Sequence, residues 1–445
     1  MPSVTAVSSS SRLPVPADRK RWIALVVVCL AMLMNVLDAS IVNVALPTIQ
    51  RSLNISQANL TWIVNAYLIT FGGFLLLAGR LGDLVGRKRV FLTGIVIFTA
   101  ASVVCGAAGS EIVLIVARFV QGFGGAVSTS VIIAIIVTEF PQPTERAKAM
   151  SAYIFVAVGG GAIGLLAGGV ITQAISWHWI FFINVPIGVV AFLLGAALIE
   201  ESEGVGTGDG VDVLGSLLVT ASMMTLIYGI VKASSDGWGS ATTLGFIALA
   251  ALLLVGFVVL ESRLSNPIIP LRIFRVRTLT MSSVVRGFVV VGMYSTFFLG
   301  ALYFEHVRHF GTLDTGLAFL PMSVVVAIFS SGLTARLVGR FGAKRVLIPG
   351  LTAMLAGLLV LTQMGPGTGY FPAGFIAFTV MGIGGGTAFT PLLTIAMSEV
   401  PAADAGLGSG IINVSMQGSA ALGVAILGTV AADRTKALAA THSHV

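Results

Sequence analysis

The sequence predicts an all-α polytopic membrane protein, two six-helix bundles with two further helices inserted between them, and three observations predict it. Of its 445 residues 56% are hydrophobic and 10% charged, with a mean hydropathy of +1.00, more apolar surface than a water-soluble domain can hide. The apolar residues fall into runs of about twenty, the length that crosses a hydrocarbon core of roughly 30 Å at a helical rise of about 1.5 Å per residue. The chain also repeats itself: the loop Gly79-Arg80-Leu81-Gly82-Asp83-Leu84-Val85-Gly86-Arg87-Lys88-Arg89 returns near Ala335, Gly342 and Arg345, Gly122 to Gly125 returns at Gly382 to Gly385, and Phe140-Pro141 at Val400-Pro401. Ordered echoes at nearly one offset imply two halves in the same orientation.

Taken in order, the polar stretch 1–21 ends in Arg19-Lys20-Arg21 like the start of a signal peptide, but the apolar run behind it is too long for one, so a retained first helix is expected. Spans are predicted at 22–46, 60–79, 90–108, 112–137, 148–174 and 179–199. Two inserted spans follow at 213–231 and 241–260, then five more at 280–303, 315–338, 346–364, 371–397 and 406–431. The resulting division is a cytoplasmic tail 1–21, a first bundle 22–200, a linker with the inserted helices 201–278, a second bundle 279–432 lacking its last helix, and a tail 433–445. About thirteen spans are expected, and an odd number puts the two termini on opposite faces.

Charge sets the orientation. Basic clusters at Arg80/Arg87/Lys88/Arg89, Arg146/Lys148, Arg263/Arg272/Arg275/Arg277 and Arg336/Arg340/Lys344/Arg345 fall on one side if the N-terminus is cytoplasmic, the expected bias for loops facing the cytoplasm. The net charge of +7 and pI near 9.7 therefore reflect the membrane and not nucleic acid. Cys29 and Cys105 lie in apolar runs and act as small hydrophobes. No phosphate-binding loop, Cys cluster or His-Glu-x-x-His is present, so no cofactor, metal site or ATPase motor is expected.

The first span contains Asp38, in Leu37-Asp38-Ala39-Ser40-Ile41-Val42-Asn43-Val44-Ala45-Leu46-Pro47. A carboxylate at a helix centre costs roughly 2.5–3.5 kcal/mol to insert, and such residues mark ion or substrate pathways. Asp38 lies about 24 Å along its helix from Trp22 and Arg118 about 10 Å from the outer end of the fourth span, so the two can pair or share a cavity wall. Two readings stay open: a proton switch that alternates between conditions, or a permanent contact that fixes packing. Arg286, a turn or two into the ninth span, is expected to snorkel to the inner surface.

Gly160, Gly164 and Gly168 stand at i, i+4 and i+8 with Gly169 beside them, a smooth stripe that lets two helices approach closely. Either a sealed contact between the halves or ordinary packing is open. Isolated polar and aromatic groups at Asn43, Trp62, Asn65, Tyr67, Gln121, Asn184, Asn413 and Gln417 are candidates to line a cavity for an amphipathic guest, although any one of them is more often an interhelical hydrogen bond.

These residues resemble the fourteen-span drug:proton antiporter branch of the major facilitator superfamily. The loop 79–89 looks like its motif between spans two and three, Ala117-Arg118-Phe119-Val120-Gln121-Gly122 is similar to its fourth-span motif, and 37–47 to its first-span signature. The stretch Ser176-Trp177-His178-Trp179-Ile180-Phe181-Phe182-Ile183-Asn184-Val185-Pro186 looks like its pattern before span six. Departures are Leu165 for a Pro in the glycine motif, Met416 and His178 for Arg, and a missing fourteenth span. The resemblance implies a proton-coupled secondary transporter exporting amphipathic drugs by alternating access. Asp38 and Arg118 would couple protons, and Gly79, Asp83, Gly86, Arg87 and Arg89 would form a conformational latch that is one-sided because Gly339 replaces the acid in the second half. It implies a monomer in the cell (inner) membrane whose partners are protons, a small amphipathic substrate and the bilayer. Rival readings are a transporter of another metabolite or lipid, a membrane-embedded enzyme, and an inactive relic.

Overall fold

The computed structural model describes residues 17–55, 60, 62–201, 204, 212–264, 267, 269–310, 312–365 and 367–442, and the described residues form helices joined by turns and loops, with no strand among them. The first half contains α1 (Ala17–Leu53), α2 (Trp62–Val85), α3 (Arg87–Gly106), α4 (Glu111–Ser130), α5 (Ile132–Glu139), α6 (Pro143–Ala174), α7 (Trp179–Phe182) and α8 (Asn184–Leu198). Helices α9 (Val213–Asp236) and α10 (Ala241–Glu261) come next. The second half holds α11 (Arg277–Leu302), α12 (Thr312–Ile328), α13 (Thr334–Phe341), α14 (Ala343–Leu361), α15 (Phe375–Ala396) and α16 (Ala405–His442).

Eleven helical segments among the described residues are long and apolar enough to cross a bilayer. The segments expected at 148–174 and 406–431 are helical, within α6 and α16, but stand outside those eleven, so the expectation of thirteen exceeds this number. The fourth span is two helices joined at Val131, and the tenth bends through a π-helical turn, Phe329–Leu333, where Gly332 takes φ 120°. Only glycine accepts that backbone without strain.

The internal repeat is visible in packing as well as in letters. Gly86 (φ 107°) and Gly342 (φ 83°) both precede the helix that follows their loop, α3 in one half and α14 in the other. Glycine is the residue that supplies such a left-handed φ cheaply. A Cβ at Gly124 would stand 2.5 Å from Phe98 N and 3.0 Å from Gly94 O; one at Gly384 would stand 2.6 Å from Met354 N and 2.9 Å from Gly350 O. Thus α4 rests on α3 as α15 rests on α14, backbone against backbone at equivalent positions, as small residues in membrane helices permit.

Helix α9 docks on α2, where Ile227 and Met224 fill the space above Gly72 and Gly73 and Tyr228 stacks on Trp62 at 5.7 Å between ring centroids. Ser222 Oγ donates to Ala250 O at 2.9 Å, tying α9 to α10.

Candidate functional site

Asp38 of α1 and Arg118 of α4 form an ion pair inside the first half, with exposures of 0% and 1%. Arg118 Nη1 donates to Asp38 Oδ2 and, at 2.7 Å, to Gln121 Oε1. Its Nε donates to Ile63 O at 3.0 Å, and its guanidinium lies over the Tyr67 ring at 4.3 Å. Asp38 Oδ1 accepts from Gln121 Nε2 at 2.8 Å and from Asn184 Nδ2 at 3.1 Å. Gln121 Nε2 also donates to Ser102 Oγ at 2.7 Å. Five helices therefore contribute to one polar island: α1, α2, α3, α4 and α8. Charge-assisted hydrogen bonds of this kind offset the large desolvation cost of burying both ions.

The residues named as cavity candidates fall in different surroundings. Tyr67, Gln121 and Asn184 belong to the shell of the ion pair, where Asn184 and Gln121 are wholly buried, and Trp62 is stacked against the inserted helix. Asn65 is half-buried on α2, Gln417 half-buried on α16, and Asn413 buried with both side-chain polar atoms unpartnered. The side chain of Asn43 lies outside what the structure describes. A crevice of about 590 Å³ runs between α1, α6 and the turn 329–333, walled by Leu25, Cys29, Leu33 and Phe155 with Lys148 and Arg336 at its edge, and none of the expected cavity residues lines it.

The loop motif does bring the halves together. Asp83 accepts from the backbone N–H of Gly406 at 2.7 Å and of Leu407 at 2.8 Å, the first turn of α16, and its Oδ1 also accepts from Arg87 Nη2 at 3.0 Å. A carboxylate suits a helix N-terminus, whose amides are unpaired and carry partial positive charge. Arg87 donates in addition to Ala402 O and, at 2.6 Å, to Thr138 Oγ1. The approach requires glycine: a Cβ at Gly79 would stand 2.5 Å from Gly406 O and 3.3 Å from Gly410 Cα. Arg89 takes no part, being exposed and only loosely paired with Glu201 at 3.8 Å. Asp404, missed in the sequence, extends the contact by pairing with Arg80 at 3.4 Å and Arg272 at 3.3 Å. In the second half Gly339 faces Thr144 of α6 and offers no acid.

The glycine stripe faces its own half. Gly160 packs on Leu33 and Val36, Gly164 on Ser40, Gly168 on Ile41 and Gly169 on Val44, all of α1, so it seals α1 to α6 and not one half to the other. A Cβ at Gly168 would stand 2.9 Å from Ile41 Cγ1 and 3.0 Å from Ile41 O, against backbone that cannot yield, whereas one at Gly160 meets the mobile end of Leu33 at 3.0 Å. Gly168→Val is expected to cost about 1–3 kcal/mol by overpacking, and Gly160→Ala less. A thermal melt in detergent checks the order, and equal melting points would refute it. Outside the spans, partial burial holds the His178 imidazole below its ordinary pKa, with its ring 3.8 Å from that of Trp177.

The family model described as Major Facilitator Superfamily matches residues 28–424. The chain belongs to the major facilitator superfamily. Among curated proteins it is 35% identical to the puromycin resistance protein pur8 of Streptomyces alboniger, across 99% of this chain and 88% of that one. It is 34% identical to the multidrug resistance protein Stp of Mycobacterium tuberculosis (93% and 76% covered) and 33% to the cephamycin export protein CmcT of Amycolatopsis lactamdurans (93% and 85%). Among solved structures, the human organic anion transporter MFSD10 matches with a TM-score of 0.67 at 13% identity over 93% of each chain. The proton:xylose symporter XylE matches at 0.66 and 17%, over 95% of this chain and 91% of that one. At such identities the structures establish the fold alone. As a member of the superfamily the chain is a polytopic membrane transporter and not an enzyme, and its curated relatives are named for drug resistance and export.

Proposed function

We propose that this transporter exports amphipathic small molecules in exchange for protons, by alternating access between two halves that rock about a central pathway. The observation that carries the reading is the ion pair Asp38–Arg118, buried inside a transporter whose relatives are named for drug export. Protonating Asp38 would cancel the charge that Arg118 faces, and a buried guanidinium without its counter-ion is costly. Proton uptake would therefore favour an arrangement in which the pair separates and Gln121 and Asn184 are released. Because the carboxylate on α1 and its donors on α4 and α8 tie three helices together, neutralising it biases a whole bundle, which is what a two-state machine requires.

The contact of Asp83 with α16 joins parts of the chain more than 300 residues apart, and supports a gate on the face carrying the basic loops. In this reading the N-terminus is cytoplasmic, the two bundles 22–200 and 279–432 are the moving bodies with 201–278 as an insert, and a monomer in the cell membrane suffices.

The test is dye extrusion from cells expressing the protein, with and without a protonophore. Extrusion is expected to collapse when the proton gradient does. Undiminished extrusion without a gradient would sink proton coupling, and no extrusion above an empty-vector control would sink the exporter reading.

A further inference from the structure

Arg286 does not reach the membrane surface as its sequence position suggests; it is 4% exposed, about nine residues into α11. Among the described residues it faces no carboxylate. Its Nη2 donates to Met416 Sδ of α16 at 3.4 Å, a weak acceptor, and its guanidinium lies 5.8 Å from the Phe389 ring of α15. Nε and Nη1 have no hydrogen-bond partner. The titratable groups within its electrostatic reach are the phenols of Tyr153 and Tyr294.

An uncompensated buried cation costs several kcal/mol, and charged residues kept inside membrane spans mark substrate or ion pathways. Other unsatisfied groups lie nearby. Tyr153 Oη, from α6 of the first half, is buried and unpartnered; so is Ser283 Oγ, one turn before Arg286; and Asn413, one turn before Met416 on α16, has both polar atoms unpaired. All can donate hydrogen bonds. The position is also a seam between halves: Ser151 and Thr390, near Tyr153 and Phe389 in sequence, lie 3.3 Å apart across it. Parting of the halves would uncover Arg286.

We propose that Arg286 is the anchoring cation of a binding site for organic anions, taking the carboxylate or sulfonate of an amphipathic substrate while Tyr153 and the apolar walls of Phe389 and Met416 hold its body. A planar guanidinium whose Nε and Nη1 are unpartnered, and whose Nη2 is held only by a weak sulfur acceptor, can turn a fork of N–H donors to such a group. This rests on the transporter reading and narrows its substrate class, since a polar anionic head with an aromatic body fits and a cation at the same point is repelled.

The test uses full-length protein in nanodiscs of phosphatidylcholine, with no proton gradient, and compares dansylglycine with its neutral amide, dansylglycinamide. The acid is expected to bind at least about tenfold tighter, roughly 1.4 kcal/mol, and Arg286→Gln to erase that preference while the amide keeps its affinity within about twofold. Arg286→Lys should retain part of it, since the charge stays and the fork is lost. Equal affinity of acid and amide for the unaltered protein, absence of saturable dansylglycine binding, or an undiminished preference in Arg286→Gln each overturns the proposal. If Arg286→Gln fails to fold, the acid–amide comparison and Arg286→Lys decide. Loss of proton coupling in the dye assay leaves this binding readout untouched, so the two ideas fail separately.

Discussion

Asp38→Asn is expected to abolish proton-coupled extrusion while the protein still reaches the membrane and binds substrate. The asparagine is nearly isosteric, yet it removes the charge paired with Arg118 and turns an N–H donor toward a shell made of donors: Arg118 Nη1, Gln121 Nε2 and Asn184 Nδ2. Removing one partner of a buried pair costs about 3–5 kcal/mol. Here the loss is softened because Arg118 keeps Gln121 Oε1, Ile63 O and the Tyr67 ring. The expected readout is a lowered melting temperature with efflux and substrate-driven proton flux at background in proteoliposomes. Asp38→Glu should recover part of the flux, since it restores a titrating carboxylate at a displaced position. Extrusion and proton exchange at wild-type rates in Asp38→Asn would end the coupling role and leave the pair as a structural contact.

Asp83→Asn is expected to unfasten the closed face while both halves stay folded. The carboxylate accepts from two amides at the start of α16 and from Arg87; an amide side chain keeps one acceptor oxygen and no charge. Hydrogen bonds to charged groups are worth about 1.5–3 kcal/mol, so the balance between closed and open states should move roughly tenfold or more. Spin labels at Val85→Cys and Pro401→Cys, both exposed positions flanking the contact, would report the change as a longer distance population. Identical distance distributions with Asp83 and Asn would show that the contact carries no conformational bias.

Much of this is legible in the sequence because charge in an apolar run and glycine at a fixed spacing have few explanations. Asp38 and Arg118 stand out by cost alone, and the repeated loop announces two like halves that Gly86 and Gly342 then match in backbone angle. What stayed hidden was partnership. A glycine stripe advertises a smooth face, yet its spacing is identical whether the neighbour is α1 or the other half; only Ile41 and Ser40 against Gly168 and Gly164 decide it. Single polar residues such as Gln121 and Asn184 read either as cavity lining or as interhelical hydrogen-bond partners, and in the fold they bond to the ion pair. Arg286 misled because distance from a helix end suggests reach to the surface, while the face it occupies on α11 points inward.

The acid on one loop and the glycine on its twin make the two seams unequal. Asp83 bolts α2 to the start of α16, whereas Gly339 merely rests near Thr144. A body fastened at one edge swings like a door and does not part like shutters, so the mouth should widen first beside Thr144 and last beside Asp83. A departing or entering guest would then meet an off-centre doorway, and the order of events would be written into a single missing carboxylate.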